Sequence, residues 1–300
     1  MKTDRMKILH PLFAGNHIKK EVKSGPARGS FRSFIALLLV SVALFSACQS
    51  GERTVLRDDF RKYYDSFQVQ GAFALYDPQE DRYILYNPDQ FRKPFPAAST
   101  FKIPHSLIAL ETGVVPDANF ILPWDSVIRA YPKWNCDHNL RSAFRNSTVW
   151  YYQETARRIG AQRMKRWLDT CGYGNADTSG GIDRFWLSGG LRITMEQQID
   201  FLRRLRKNQL PFSRRSVDIV KDIMIAKDTM GYTVRGKTGW GEMDGLDIGW
   251  YVGYLESDSR VYYFANCIQS AKPDNPHFAP ARIDILYSIL GEVLGKKDSN

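Results

Sequence analysis

"PAASTFKIPH", residues 96–105, sets Ser99 and Lys102 three positions apart in an otherwise apolar stretch punctuated by Pro96 and Pro104. On a helical turn, residues three apart are neighbours on one face, with Cβ atoms about 5–6 Å apart, so the amine reaches the hydroxyl. A free hydroxyl is a poor nucleophile at neutral pH, and an amine acts as a base only where burial disfavours its charged form. Ala97, Ala98, Phe101 and Ile103 provide apolar surroundings of that kind. The spacing alone is a weak signal, because S-x-x-K arises about once by chance in a chain of this length. A helix-start serine beside a snorkelling lysine accounts for most such pairs.

Outward from this stretch the chain reads strand, helix, strand. "QGAFALYD" (70–77) and "DRYILYN" (81–87) are β-rich runs around a "PQE" turn, a hairpin pattern. Helical spacing dominates from about Phe101 to Ile225. There "STVWYYQETARRIG" (147–160) opens on Ser/Thr and closes on Gly, and "TMEQQIDFLRRLRKN" (194–208) has a Thr start and a periodic apolar face. Strands return in "GYTVRGKTGW", "DIGWYVGYLES" and "RVYYFANCIQ", and "APARIDILYSILGEVLG" closes as an amphipathic helix. The pattern predicts an α+β fold, a mostly antiparallel sheet flanked by terminal helices with an inserted all-helical subdomain. The insertion spans about 99–226, and the sheet comes from about 53–98 and 227–300.

The 300 residues are 43% hydrophobic and carry a formal charge of +10, enough apolar content for a full core. Residues 1–47 hold eight basic and two acidic side chains, leaving 34 basic against 30 acidic elsewhere, a net of +4. The positive charge is therefore largely a leader. No remaining segment interleaves Lys and Arg with stacking aromatics, so nucleic acid is not an expected partner. The basic stretch precedes "FIALLLVSVALFSA" (34–47), which is short for a spanning helix. Small residues then lead to Cys48. Residues 1–48 read as a signal peptide, favoured as the lipoprotein type with Cys48 lipidated; simple cleavage, a retained anchor and a start at Met6 or later stay open. The rest of the chain, 49–300, is the expected mature domain, which this leader would export to the periplasm and a lipid on Cys48 would tether at the outer membrane. Cys136, Cys171 and Cys267 form no CxxC pair, and the five histidines show no ligand spacing, so neither a disulfide framework nor a metal is expected.

The serine–lysine pair gains weight from "KTG", Lys237-Thr238-Gly239, in a strand-like run, a tripeptide expected on the order of 0.1 times per chain. Lys and Thr followed by a Gly that lets a ligand approach the backbone make a carboxylate cradle. S-x-x-K with K-T-G marks penicillin-recognising serine enzymes, whose third motif is usually S-D-N. Here Ser147-Thr148-Val149 and then Tyr173-Gly174-Asn175 stand in its place. In this order the four motifs resemble the class D β-lactamases, the oxacillinases. "WNCDHNL" (134–140), "SGGIDRFWLSGGLRIT" (179–194) and "DIGWYVGYLE" (247–256) resemble family segments too, so the likeness covers roughly residues 53–295.

The resemblance implies hydrolysis of the β-lactam ring through an acyl-enzyme on Ser99, conferring antibiotic resistance. It implies that Lys102 is carboxylated by dissolved CO₂, with no other cofactor, and acts as general base. It further implies that Trp186 steadies the carboxylated lysine, that Val149 and Leu187 line its pocket, and that Ser147 relays a proton to the leaving nitrogen. The backbone N–H groups of Ser99 and Trp240 would form the oxyanion hole; Lys237, Thr238, Gly239 and Arg282 would bind the substrate. Tyr173 and Asn175 are read as shaping the wall. Two rivals share the motifs: a β-lactam sensor that stays acylated, and a penicillin-binding transpeptidase. One apolar run without HExxH in residues 1–47 weighs against the sensor, and S-T-V with "FWL" against the transpeptidase. The preferred β-lactams, a homodimer and the shape of a loop at "WGEMDGLD" (240–247) stay open.

Overall fold

Strict two-residue alternation decides how the central strands are used. In the strand Gln70–Asp77, Ala72, Ala74 and Tyr76 belong to one core cluster while Phe73 and Leu75 belong to another, because successive side chains point to opposite faces of a sheet. The same division runs through Val261–Ser270, where Tyr263, Ala265 and Cys267 face one core and Tyr262, Phe264 and Ile268 the other. Both faces are therefore covered.

The computed structural model describes residues 53–271 and 275–295; the leader with Cys48 lies outside the described residues. In chain order these are β1 (Arg53–Leu56), α1 (Arg61–Ser66), β2 (Gln70–Asp77), β3 (Arg82–Tyr86) and β4 (Phe95–Pro96). A 3₁₀ turn, Ala98–Phe101, leads into α2 (Lys102–Glu111), β5 (Ile121–Leu122), β6 (His138–Asn139), α3 (Leu140–Arg145), α4 (Val149–Ile159) and α5 (Ala161–Cys171). Then come β7 (Arg192–Ile193), α6 (Met195–Arg206), α7 (Arg214–Ile223), β8 (Ile225–Asp228), β9 (Thr233–Met243), β10 (Leu246–Glu256), β11 (Val261–Ser270) and α8 (Phe278–Gly295).

Seven strands form one sheet in the order β1-β3-β2-β11-β10-β9-β8. All its pairings are antiparallel except β1 with β3. One face packs on Phe60 and Tyr64 around α1 and on Ile285, Leu286 and Ile289 of α8. The other packs on the segment between β4 and β8, expected to be all helical and in fact mostly so, since β5 pairs with β6 within it and β7 pairs with β4 against it. Helix ends follow local chemistry: Thr194 and Asn139 close capping boxes at α6 and α3, and Gly172 ends α5 in the left-handed conformation.

The segment 240–247 is no open loop. β9 runs on to Met243, β10 begins at Leu246, and Asp244 and Gly245 make the turn with φ of 54° and 74°. Positive φ at both central residues is what a two-residue Asp-Gly hairpin turn demands.

Candidate active site

The hydroxyl and the amine are brought together by a strained entry into α2. Ala98 has φ 48°, a left-handed conformation that costs a non-glycine residue about 1–2 kcal/mol. The strain is held by tertiary bonds. The Ala98 N–H donates to Trp186 O at 2.9 Å. Thr100 Oγ1 donates to Ala97 O at 2.6 Å and accepts from Gln198 Nε2 at 2.8 Å. The 3₁₀ turn then hands over to α2 at Lys102, with Pro104 in its first turn, where the missing N–H has no partner to lose.

Lys102 Nζ donates to Ser99 Oγ at 2.8 Å. The lysine is fully buried. Burial, then the nearby charge of Lys237, holds its pKa well below the ordinary lysine range. Its Nζ stands 5.1 Å from the centroid of the Tyr152 ring. Phe101, although next in sequence, turns into an aromatic cluster with His105, Tyr173, Phe185 and Trp186 at centroid distances of 5.0–5.9 Å.

Two polar atoms in that cluster have no partner among the described residues: Trp186 Nε1 and His105 Nδ1. An unsatisfied buried donor is costly, so the orphaned indole N–H marks a place for an acceptor. One turn beyond Lys102, His105 bonds through Nε2 to Thr155 Oγ1 at 3.1 Å. Burial and the Lys102 charge push its pKa down to about 3, so it is neutral at physiological pH. The three-residue spacing to Lys102 was the available signal.

β9 forms the opposite side. Gly236 N donates outward to Met224 O at 2.9 Å, and the ladder with β10 runs unbroken through Trp240. By two-residue alternation the N–H groups of Thr238 and Trp240 also point away from β10. Gly239 is needed for contact: a Cβ there would lie 3.2 Å from Thr100 Cγ2 and 3.2 Å from Trp250 Cβ. Gly241 is similarly close to Ala98, and Trp250 Nε1 donates to Pro96 O at 2.9 Å. The strand is thus pressed against the turn that carries Ser99.

Lys237 is buried, and Nζ donates to Thr238 O at 2.9 Å. Burial, then the charge of Arg282, lowers its pKa to about 7. Arg282, on α8, donates from NH1 to Gly239 O at 3.0 Å and from Nε to Ala279 O at 3.1 Å. Burial lowers its pKa to about 10, and among the described residues no carboxylate pairs with it. Cations gathered without an acid favour an anionic ligand.

A cleft of about 450 Å³ opens between the two sides, lined by Ser99, Ser147, Val149, Leu187, Thr238, Gly239, Trp240 and Arg282. Tyr131, Trp134, Asn146 and Ala279, which sequence reasoning did not single out, complete the lining. A cavity of about 500 Å³ shares Lys237 and Thr238 but does not reach Ser99. Ser147 is half-buried with φ 54°. It does not cap α4: that position falls to Thr148, whose Oγ1 meets His138 Nε2 at 3.3 Å instead. Tyr173 and Asn175 lie away from the cleft lining. Tyr173 OH is 3.4 Å from Thr100 Oγ1 beneath the turn, and Asn175 ties Gly190 O and Arg192 N at 2.9 Å each.

A hydroxyl hydrogen-bonded to a buried amine, facing an outward strand with a cationic end, is the arrangement of the penicillin-recognising serine enzymes. The penicillin-binding protein transpeptidase domain family matches residues 60–290. The β-lactamase OXA-2 of Salmonella typhimurium is 42% identical over 256 residues, spanning 84% of this chain and 87% of its own length. The crystal structure of a class D β-lactamase from Nostoc superposes with a TM-score of 0.75 at 44% identity, covering 80% of this chain and 99% of that one. The C-terminal domain of the Bacillus licheniformis BlaR penicillin-receptor superposes with a TM-score of 0.76 at 32% identity, covering 81% and 97%. The chain belongs to the class D β-lactamases, a family of serine hydrolases.

Proposed function

We propose that this protein hydrolyses β-lactam antibiotics through an acyl ester on Ser99, with Lys102 carboxylated by CO₂, and so confers resistance. The observation that carries this reading is a buried, charge-poor amine 2.8 Å from Ser99 Oγ. Only a neutral amine combines with CO₂, and burial favours the neutral form of Lys102. The orphaned Trp186 N–H fits the carboxylated side chain, since it offers a donor to a new acceptor. When present, the carboxyl group supplies a general base for acylation and deacylation.

Ser99 Oγ attacks the lactam carbonyl, and the oxygen that becomes negative is met by the backbone N–H groups of Ser99 and Trp240. The lactam nitrogen leaves with a proton relayed through the Ser147 hydroxyl. Lys237, Thr238 and Arg282 hold the substrate carboxylate, with Gly239 letting it approach the strand. Val149 and Leu187 line the lysine's pocket and restrict water. In this reading the leader directs export to the periplasm, with lipid on Cys48 tethering the enzyme to the membrane.

The chain without residues 1–48 is expected to turn over nitrocefin, at least tenfold more slowly (an order-of-magnitude expectation for a weakened general base) when bicarbonate is stripped and fully again when it is restored. ¹³C-labelled bicarbonate should give a carbamate NMR signal absent from Lys102→Ala. Likeness to the receptor domain favours one rival, a sensor that stays acylated; a single stoichiometric burst followed by silence would establish that rival.

A further inference from the structure

We propose that Asp247 is a positioning residue for recognition of the β-lactam carboxylate: it holds the Trp240 indole, and the indole holds the Arg282 guanidinium toward the cleft. The inference rests on the reading of Arg282 as a carboxylate ligand.

Arg282 reaches the cleft by a narrow route. It crosses Gly249, where a Cβ would stand 2.9 Å from both its Cγ and its Cδ, so the stem is guided by the absence of a side chain there. Two donors are spent on Gly239 O and Ala279 O. The guanidinium carbon then sits 5.4 Å from the centroid of the Trp240 ring, within cation–π range. The remaining N–H groups are left for a ligand anion.

Trp240 is itself 41% exposed. Its ring packs on Phe278 at 5.0 Å, and its Nε1 donates to Asp247 Oδ1 at 2.8 Å. A half-exposed aromatic side chain loses rotamer freedom when held in one orientation, and a directed hydrogen bond offsets that loss. Asp247 opposes Glu242 across the β9–β10 hairpin and is absent from the cleft lining. Its action on substrate therefore passes through Trp240. The backbone N–H that Trp240 offers the lactam oxygen is separate from this task, so one residue serves two ends of the substrate.

The test compares benzylpenicillin with its methyl ester, which lacks the carboxylate charge. Asp247→Ala is expected to raise KM for benzylpenicillin about fivefold, the loss of one hydrogen bond, with kcat within twofold and the ester's kcat/KM unchanged. The ester rate also reports that the variant is folded. Asp247→Asn should restore KM, because the amide oxygen accepts the same indole proton. Trp240→Phe should raise KM to a similar degree, and Asp247→Ala with Trp240→Phe should be no worse than either alone. Equal losses on acid and ester, no rescue by Asn, or additive losses in the double variant each overturn the proposal. Arg282→Ala separates the layers. If it discriminates acid from ester while Asp247→Ala does not, the positioning inference alone fails; if it does not discriminate, the carboxylate reading fails and the inference with it.

Discussion

Lys102 and Lys237 are both buried lysines, each next to a residue that lines the cleft or bonded to one, yet the helical turn and the strand treat them differently. On the turn, the Lys102 amine bonds to the Ser99 hydroxyl and lies near the Tyr152 ring, and burial, then the charge of Lys237, strongly disfavours its charged form. On the strand, Lys237 bonds to a backbone carbonyl, and its pKa settles at about 7. Burial leads both shifts and a neighbouring cation adds to each, so burial alone does not assign a lysine its role; what separates the two is the partner each amine is given, the Ser99 hydroxyl for Lys102 and a backbone carbonyl for Lys237.

The sharpest way to break this comparison is to remove the turn's amine. Lys102→Ala is expected to lower nitrocefin turnover by roughly 10³-fold, within the range for loss of a general base. Slow acylation without product release should persist, visible as an acyl adduct by mass spectrometry. Turnover close to wild type would show that the amine is not the source of the base.

A smaller effect tests the strand. Below about pH 7 Lys237 is charged in the free enzyme, and above it the amine becomes neutral. The kcat/KM for an anionic β-lactam should therefore decline as pH rises through that value. Lys237→Arg should flatten this alkaline limb, because a guanidinium stays charged there. An identical limb in both enzymes would mean that another group controls it. The smallest effect belongs to Tyr173→Phe, which removes a hydroxyl 3.4 Å from Thr100 while the bonds to Ala97 and Gln198 remain. Its kcat/KM should change by less than about threefold, as for loss of a weak contact; a larger drop would place Tyr173 in the chemistry rather than under it.

Much of this arrangement was legible because it is local. Three-residue spacing puts Ser99 beside Lys102, alternation marks the strands, and the Thr194 start of α6 is a readable capping box. The Asp244-Gly245 pair is a readable hairpin signal as well, and it turns the expected loop at 240–247 into two paired strand ends. What the sequence hides is set by distant partners. Nothing local announces that Ala98 takes a left-handed conformation, since a Trp186 carbonyl 88 positions away by numbering holds it there. Tyr131 and Asn146 reach the cleft through loop geometry that has no period. The parallel pairing of β1 with β3 likewise depends on long-range register.

The contact of Gly239 and Gly241 with Thr100 and Ala98 joins segments made early and late in synthesis. No partial chain ending before β9 contains a complete cleft, however well its helices have formed. Such non-local closure is slow relative to helix formation. Refolding should accordingly recover helical circular dichroism before nitrocefin hydrolysis, which makes enzymatic activity a reporter of the last seam to close.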